Sequence, residues 1–282
     1  MSAHPRLSLN QATIKHADLP TALAVTEKAG ITSIGLWREP VAAVGLAAAA
    51  ALVADSGLRV SSLCRGGFFT ASDDAARRAA LDDNRRAIEE TAALAAAGAP
   101  GSAAVLVLVA GGLPAGDRDL PGARARVADA VAALVEDAAA AGVTLAIEPM
   151  HPIYAADRGV ISTLGQALDV AEQFAGVGVV VDTFHVWWDP QLAEQVARAG
   201  RTGRIASYQV NDWITPLPPD ALLARGMMGD GHIDLPAVTA MVEQAGYAGD
   251  VEVEIFNQEI WDADAGEIAE RTATAFGAHV GL

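Results

Sequence analysis

The sequence predicts an α/β protein formed by a single (β/α)8 TIM barrel. Two observations predict it: short apolar segments alternate with amphipathic or alanine-rich segments, and this rhythm repeats eight times within 282 residues. A content of 52% hydrophobic and 19% charged residues is typical of one large globular domain. A doubly wound open sheet is the alternative, but no glycine-rich phosphate loop follows the first strand. We therefore expect residues 1–282 to form one barrel domain.

The strands are predicted where apolar runs are short and bounded by turn residues, as in TLAIE and VGVVVD. The expected strands are residues 7–10, 33–37, 59–64, 104–110, 144–148, 177–182, 204–210 and 250–256.

The helices are predicted from the segments between these strands. They are expected at about 19–29, 41–55, 73–97, 123–141, 163–175, 189–199, 235–245 and 267–279. Asp73 and Thr163 are typical first residues of helices, and Gly142 and Gly246 are typical of the position after the last turn. A connection at about 211–234, rich in Pro and Gly, interrupts the rhythm after the seventh strand. Long loops at a barrel mouth commonly cover or shape a site, and we expect this role here.

The charge and cysteine content narrow the function classes. A formal net charge of −16 argues against nucleic acid and anionic membrane surfaces as partners, because both need a basic face. Cys64 is the only cysteine, so no intrachain disulfide can form, and a buried structural role is expected for it. The first ten residues lack the apolar core of a signal peptide. We expect a cytoplasmic protein, and exposed Trp and Met residues in its loops are compatible with a homo-oligomer.

Four polar side chains stand where apolar strands end: Glu148, Asp182, Gln209 and Glu254. The carboxyl ends of parallel barrel strands meet at one mouth, where active sites lie. Carboxylate and amide oxygens suit a hard divalent cation such as Mn²⁺ or Mg²⁺. Each residue also has a structural interpretation, namely a salt bridge for Glu148, a helix cap for Asp182 and a core hydrogen bond for Gln209. Glu252 shares a strand face with Glu254 but lies lower in the barrel, where an ion pair is expected.

These residues carry a resemblance to a known family. Glu148 on strand five, the segment VDTFH on strand six, Asn-Asp after strand seven, Glu254 on strand eight and the segment GDGHID (Gly229 to Asp234) resemble the xylose-isomerase-like TIM barrels. This superfamily, often labelled sugar phosphate isomerase/epimerase, includes ketose 3-epimerases and inosose isomerases and dehydratases. The resemblance covers essentially the whole chain.

The resemblance implies an enzyme with one divalent metal, Mn²⁺ first and Mg²⁺ or Co²⁺ as alternatives, held by Glu148, Asp182, Gln209 and Glu254. It implies that Glu148 and Glu254 form an acid/base pair and that His185 contacts the substrate. The implied reaction is isomerisation or epimerisation of a small keto-sugar or keto-polyol, by abstraction of an α-proton and a metal-stabilised enediolate.

Two departures keep other functions open. The family's usual ligand on strand seven is His, whereas Gln209 stands here, as in some dehydratase members. The arginine that often follows is replaced by Thr215 and Pro216, although Arg225 could substitute, so a phosphorylated substrate is not inferred. A lyase that eliminates a β-substituent from a keto-sugar, inosose or 3-keto-glycoside is therefore the main alternative. A non-catalytic sugar-binding barrel is another, and the acidic balance argues against an endonuclease of the superfamily.

Further candidates for substrate binding lie beside the strand ends: His151, Arg65, Trp187, Arg225 and Trp37. Aromatic faces at a barrel mouth can stack on the C–H faces of sugars, although such residues also serve as packing or interface residues. His151 could be a second base or a residue facing solvent, and Arg65 could meet a hydroxylated or anionic ligand.

Overall fold

Eight parallel strands close into a barrel in the computed structural model, which describes residues 3–282. The strands are β1 (Leu7–Asn10), β2 (Ser33–Trp37), β3 (Arg59–Gly67), β4 (Val105–Val109), β5 (Thr144–Glu148), β6 (Val177–Asp182), β7 (Ile205–Val210) and β8 (Val251–Val253). Each strand pairs with the next in chain order, and β8 pairs with β1, so the sheet has no free edge. The predicted TIM barrel is confirmed.

The helices follow the strands and cover the outside of the barrel. Within residues 3–282 they are α1 (Leu19–Lys28), α2 (Arg38–Val44), α3 (Leu46–Ser56), α4 (Asp74–Ala97), α5 (Leu120–Ala141), α6 (Leu164–Ala171), α7 (Thr183–Val186), α8 (Leu192–Arg201), α9 (Leu235–Gln244), α10 (Gln258–Asp262) and α11 (Ala265–His279). None of these helices alone has the length and apolar character needed to cross a membrane, and the one pair that has them jointly, α2 and α3, is bent by 106°.

Several element boundaries differ from the sequence prediction, and two of the differences have a clear physical cause. The single helix expected at 41–55 is two helices, because Gly45 adopts a φ of 85° that a helix cannot contain. The eighth strand ends at Val253, short of residue 256. There the side chain of Thr13 donates to the carbonyl of Val253 and accepts from the amide of Ile255, which ends the ladder. Glu254 therefore lies just beyond the strand, at the mouth.

The interior of the barrel contains a buried carboxylate below the mouth. Glu252 is 1% exposed, and no basic side chain within residues 3–282 forms an ion pair with it, so the ion pair expected for it is wrong. It accepts hydrogen bonds instead from side chains of β1, β3 and β7, namely Asn10, Ser61, Ser62 and Gln209. A Cβ atom at Gly35 would lie 2.6 Å from this carboxyl group, so glycine leaves the room that Glu252 needs.

The loop after β7 is ordered by a short antiparallel hairpin. Asp212–Trp213 pairs with Arg225–Gly226, and a 3-10 helix, Ala221–Ala224, precedes the second arm. Asp212 accepts from the backbone amides of Gly229, Gly231 and Ile233, which fixes the segment leading to α9. The hairpin sends the side chain of Arg225 into the barrel mouth, where it is 2% exposed.

Candidate active site

A cavity of about 200 Å³ opens at the carboxyl ends of the strands. Its polar lining includes Glu148, His185, Arg225 and Glu254. Its walls are mostly apolar: Trp37, Phe68, Val107, Val109, Met150, Leu222 and Phe256. A small polar floor inside apolar walls is the usual composition of a site for a small molecule.

Three potential ligands converge beside this cavity. Atoms of Glu148, Asp182 and His185 all lie within 4.8 Å of one another, and all three side chains are buried. The Nε2 atom of His185 lies 3.7 Å from an oxygen of Glu148 and 3.9 Å from an oxygen of Asp182. Asp182 also caps α7 by accepting from the amide of Phe184, so the capping interpretation of this residue holds together with its place in the cluster.

Burial sets the charge state of the cluster. It raises the pKa of Glu148 well above the ordinary value, and the nearby carboxylates of Glu254 and Asp182 raise it further. The pKa of Glu254 rises to about 7, chiefly through burial, although Arg225 opposes the rise. Burial, followed by the charge of Arg225, lowers the pKa of His185 well below its usual value. At neutral pH the site thus holds a neutral imidazole and carboxyl groups able to carry a proton.

Arg225 is the cation within this cluster. Its Nη1 atom donates to an oxygen of Asp182 at 2.9 Å and to an oxygen of Glu254 at 2.8 Å. Its guanidinium carbon lies 5.0 Å from the ring centre of Phe184 and 4.9 Å from that of Phe256. The two aromatic faces and the two carboxylates hold one buried guanidinium.

The ring of His185 meets a donor at each nitrogen. The backbone amide of His151 approaches Nδ1 at 3.1 Å, and Nη2 of Arg225 approaches Nε2 at 3.0 Å. A neutral imidazole has one acceptor nitrogen and one N–H group. One of these two contacts therefore brings two N–H groups together, whichever tautomer is present.

Gln209 is oriented by the carboxylate beneath it. Its Nε2 atom donates to Glu252 at 3.0 Å, and its Oε1 atom is buried with no hydrogen-bond partner among residues 3–282. An unpartnered buried oxygen is costly unless a cation or donor meets it. This oxygen and the buried carboxylates of Glu148 and Asp182 are donors of the type that a hard divalent cation prefers, so the residues present fit such an ion.

The predicted substrate-binding residues divide into two groups. Arg65, Trp37 and Arg225 line the cavity, and the guanidinium of Arg65 lies over the rings of Trp37 and Phe68. The side chains of His151 and Trp187 lie outside the cavity lining, packed against Trp213. His151 reaches the site only through its backbone amide.

Three residues near the site escaped the sequence prediction. Phe184 and Phe256 flank Arg225, and Nδ2 of Asn211 donates to Asp182 at 3.1 Å. Their positions in the sequence carried a signal, because Phe184 lies within VDTFH and Phe256 follows Glu254 by two residues. Asn211 is the first residue of the Asn-Asp pair after β7.

The family model described as xylose isomerase-like TIM barrel matches residues 23–275. The chain belongs to this family. Its barrel is also similar to the crystal structure of protein SMc04130 from Sinorhizobium meliloti 1021, with 47% identity over 97% of this chain and 98% of that one, at a TM-score of 0.92.

Two more distant structures share the fold of this xylose isomerase-like barrel. One is the IOLI protein with a bound zinc atom, 22% identical, covering 98% of each chain at a TM-score of 0.82. The other is an L-ribulose 3-epimerase, 22% identical over 99% of this chain and 95% of that one, at a TM-score of 0.77. Among curated proteins, no sequence matches the chain closely enough to indicate a relationship.

Proposed function

We propose that this xylose isomerase-like barrel is a divalent-metal-dependent isomerase or epimerase of a small keto-sugar or keto-polyol. The observation that carries the proposal is the convergence of Glu148, Asp182 and His185, all buried, beside a cavity that Glu254 also lines. Buried carboxylates are costly without a cation, and here they lie where barrel enzymes perform their chemistry.

The metal would be held by Glu148, Asp182 and Glu254, with the amide oxygen of Gln209 as a fourth ligand. When bound, it would supply Lewis acidity that polarises a substrate carbonyl. Mn²⁺ is our first candidate, with Mg²⁺ or Co²⁺ as alternatives, because three of these four donors are carboxylates. The zinc bound to the IOLI protein supports a divalent ion in a barrel of this fold.

Glu148 and Glu254 are the proposed proton carriers. They belong to β5 and to the end of β8, so they approach the cavity from different sides of the barrel. Burial raises the pKa of both carboxyl groups in the metal-free protein, and in the metal-bound form a carboxylate oxygen not bonded to the ion could exchange a proton with the substrate carbon. One would abstract the proton α to the carbonyl and the other would return a proton to the opposite face. L-ribulose 3-epimerase is a structural neighbour whose name describes such a change of configuration.

The remaining lining residues are proposed to bind the substrate. The neutral ring of His185 and the guanidinium of Arg225 would contact its oxygens, while Trp37 offers an aromatic face to its C–H groups. Arg65 lies at the mouth with its guanidinium against two aromatic rings and 3.9 Å from the carboxylate of Glu39, and it is proposed to contact a hydroxylated ligand. A cytoplasmic location fits the single buried thiol of Cys64 and stays a prediction.

Proton NMR in D₂O tests the proposal. The Mg²⁺-loaded protein is incubated with ketoses, inososes and 3-keto-glycosides, and deuterium at the carbon α to the carbonyl is followed together with the appearance of an epimer. Exchange that disappears in Glu148→Gln supports the proposal. Exchange retained in that variant would show that Glu148 is not needed for proton transfer.

A lyase is the second candidate, favoured by Gln209 in the position where the family usually has His. Elimination of a β-substituent begins with the same α-proton abstraction, so the same residues would act. The NMR experiment separates the two, because loss of the β-substituent gives an enone signal instead of an epimer. A protein that binds metal and sugar but exchanges no proton would support the non-catalytic alternative.

A further inference from the structure

Arg225 occupies the space between two of the proposed metal ligands. Its Nη1 atom lies 2.9 Å from Oδ2 of Asp182 and 2.8 Å from Oε2 of Glu254. We propose that the guanidinium of Arg225 is a built-in competitor of the metal ion, which must displace it to bind both carboxylates. The inference rests on the metal part of the proposed function and not on the reaction catalysed.

The competition follows from the distances. Metal ions of this class bond to carboxylate oxygens at roughly 2.0–2.2 Å. A nitrogen within hydrogen-bond distance of the same two oxygens fills the space that such an ion would need. An ion that bridged Oδ2 of Asp182 and Oε2 of Glu254 from this side would take the position of the nitrogen, so the guanidinium would have to move first.

The position of Arg225 is built by the surrounding chain. Its guanidinium lies between the rings of Phe184 and Phe256, both about 5 Å from its carbon atom. Its backbone carbonyl accepts from the side chain of Asn257 at 3.0 Å. The residue also begins the second arm of the hairpin after β7, so backbone pairing with Trp213 directs it inward. Two aromatic rings and a hairpin thus hold this arginine in a defined position.

The guanidinium is nevertheless incompletely satisfied. Its Nε atom is buried and has no acceptor in the part of the chain that the structure describes. Its Nη2 atom faces a nitrogen of His185 whose other nitrogen already faces the amide of His151. A buried N–H group without an acceptor destabilises the arrangement that holds it. This cost favours displacement, because a metal ion can take the carboxylates while the guanidinium moves into the cavity that it already lines.

The charge balance of the site indicates what the exchange of Arg225 for a metal ion would achieve. Without metal, Glu148, Asp182 and Glu254 would be three buried carboxylates, and Arg225 supplies one compensating positive charge. A divalent ion supplies two and releases the guanidinium into a cavity that it already lines. Metal binding would then free the group proposed to contact substrate oxygens, so the substrate-binding form of the site depends on the metal.

Isothermal titration of the metal-free protein with Mn²⁺ tests the competition by comparing wild type with Arg225→Met. The variant should bind Mn²⁺ about tenfold more tightly, the factor expected if the guanidinium holds the carboxylates in about nine-tenths of metal-free molecules. Arg158→Met is the matched control. It removes the same charge from the cavity lining, but Arg158 pairs with Asp157 and Asp220 and not with the cluster. The control should change the affinity by less than about threefold.

A second measurement uses the wild-type protein alone, in case Arg225→Met folds poorly. The ¹⁵N signals of guanidinium groups are followed during a Mg²⁺ titration, and the signal of Arg225 should shift with the fraction of protein bound. An unmoved Arg225 signal, or equal Mn²⁺ affinity in wild type and Arg225→Met, overturns the inference and leaves the metal site standing. Absence of Mn²⁺ binding in both proteins overturns the inference together with the metal part of the proposed function.

Discussion

The amide nitrogen of Gln209 donates to the buried carboxylate of Glu252 at 3.0 Å, which leaves the amide oxygen of Gln209 without a partner. A carboxylate can only accept, so Glu252 fixes which end of the amide faces it. Glu252 on β8 thereby determines that Gln209 on β7 offers its oxygen as a ligand atom. A metal ion bound by Gln209 would meet an oxygen and not a nitrogen.

The first prediction concerns metal preference. Gln209→His replaces this oxygen by an imidazole nitrogen, which binds Zn²⁺ and Co²⁺ well and Mg²⁺ poorly. We expect the ratio of Zn²⁺ to Mg²⁺ affinity, measured by competitive titration, to rise by about tenfold or more. Gln209→Leu is the control, and it should weaken both metals because it offers no ligand atom. An unchanged ratio in Gln209→His would show that residue 209 does not bind the ion.

The second prediction concerns Glu148, whose buried carboxylate is repelled by Glu254 and Asp182. Glu148→Gln removes this repulsion and keeps the shape of the side chain. At pH 8 without metal, the variant should melt at least about 2 °C higher than wild type, the shift that about 1 kcal/mol gives in a domain of this size. Its melting temperature should rise less than that of wild type when Mn²⁺ is added, because an uncharged amide oxygen is a weaker ligand than a carboxylate. A lower melting temperature without metal would contradict the repulsion.

The sequence was sufficient to predict the barrel because its signals are local. Each apolar run and each amphipathic segment is recognisable from a few consecutive residues. The bounds of β5 and β6 were therefore predicted as they are observed. The break at Gly45 was missed, since a glycine inside an alanine-rich run costs a helix only about 1 kcal/mol. The early end of β8 depends on Thr13, which is distant in sequence from Ile255.

The candidate site also contains some residues that a sequence rule predicts and others that it does not. The ends of parallel strands meet at one mouth, so the rule predicts that Glu148, Asp182 and Glu254 lie close together. No comparable rule could place Arg225. It lies 43 residues after Asp182 in the sequence and reaches the carboxylate of Asp182 from a loop of irregular backbone. The sequence could not predict the orientation of the Gln209 amide either, because that orientation depends on Glu252 of the neighbouring strand.

The third prediction concerns pH. The folded-state pKa of Glu254 is raised from 4.5 to about 7, so the folded protein binds this proton more tightly than the unfolded chain. The corresponding stability is complete below pH 4.5 and is lost as the pH rises through about 7. Glu148 acts in the same direction, since its pKa is also raised. Without metal, the free energy of unfolding from urea titrations should therefore fall between pH 6.5 and 8.

The control for this prediction is Glu148→Gln, in which the fall should be smaller because one of the two titrating groups is gone. The range begins at pH 6.5 because the lowered pKa of His185 has the opposite effect below it, where only the unfolded chain takes up the proton. Saturating Mn²⁺ should reverse the trend, since the ion binds deprotonated carboxylates. A wild-type curve that is flat or rises without metal would contradict the assigned shifts.

The fourth prediction concerns the loop that carries Arg225. The carboxylate of Asp212 accepts from the amides of Gly229, Gly231 and Ile233 at 2.8–3.0 Å, so both of its oxygens are used. Asp212→Asn turns one oxygen into an N–H donor that faces an N–H group. The loss should be about 1–3 kcal/mol in the free energy of unfolding, and amide exchange in this segment should accelerate.

Asp234→Asn provides the matched control for the loop. It removes the same charge from the same segment, but Asp234 caps α9 by accepting from the amide of Ala237, and asparagine caps helices about as well as aspartate. This control should leave both stability and amide exchange near the wild-type values. Asp212→Asn should also weaken substrate binding more than the control does, because its hairpin no longer fixes Arg225 at the mouth. Equal effects of the two substitutions would mean that lost charge, and not the hydrogen bonds of Asp212, governs the loop.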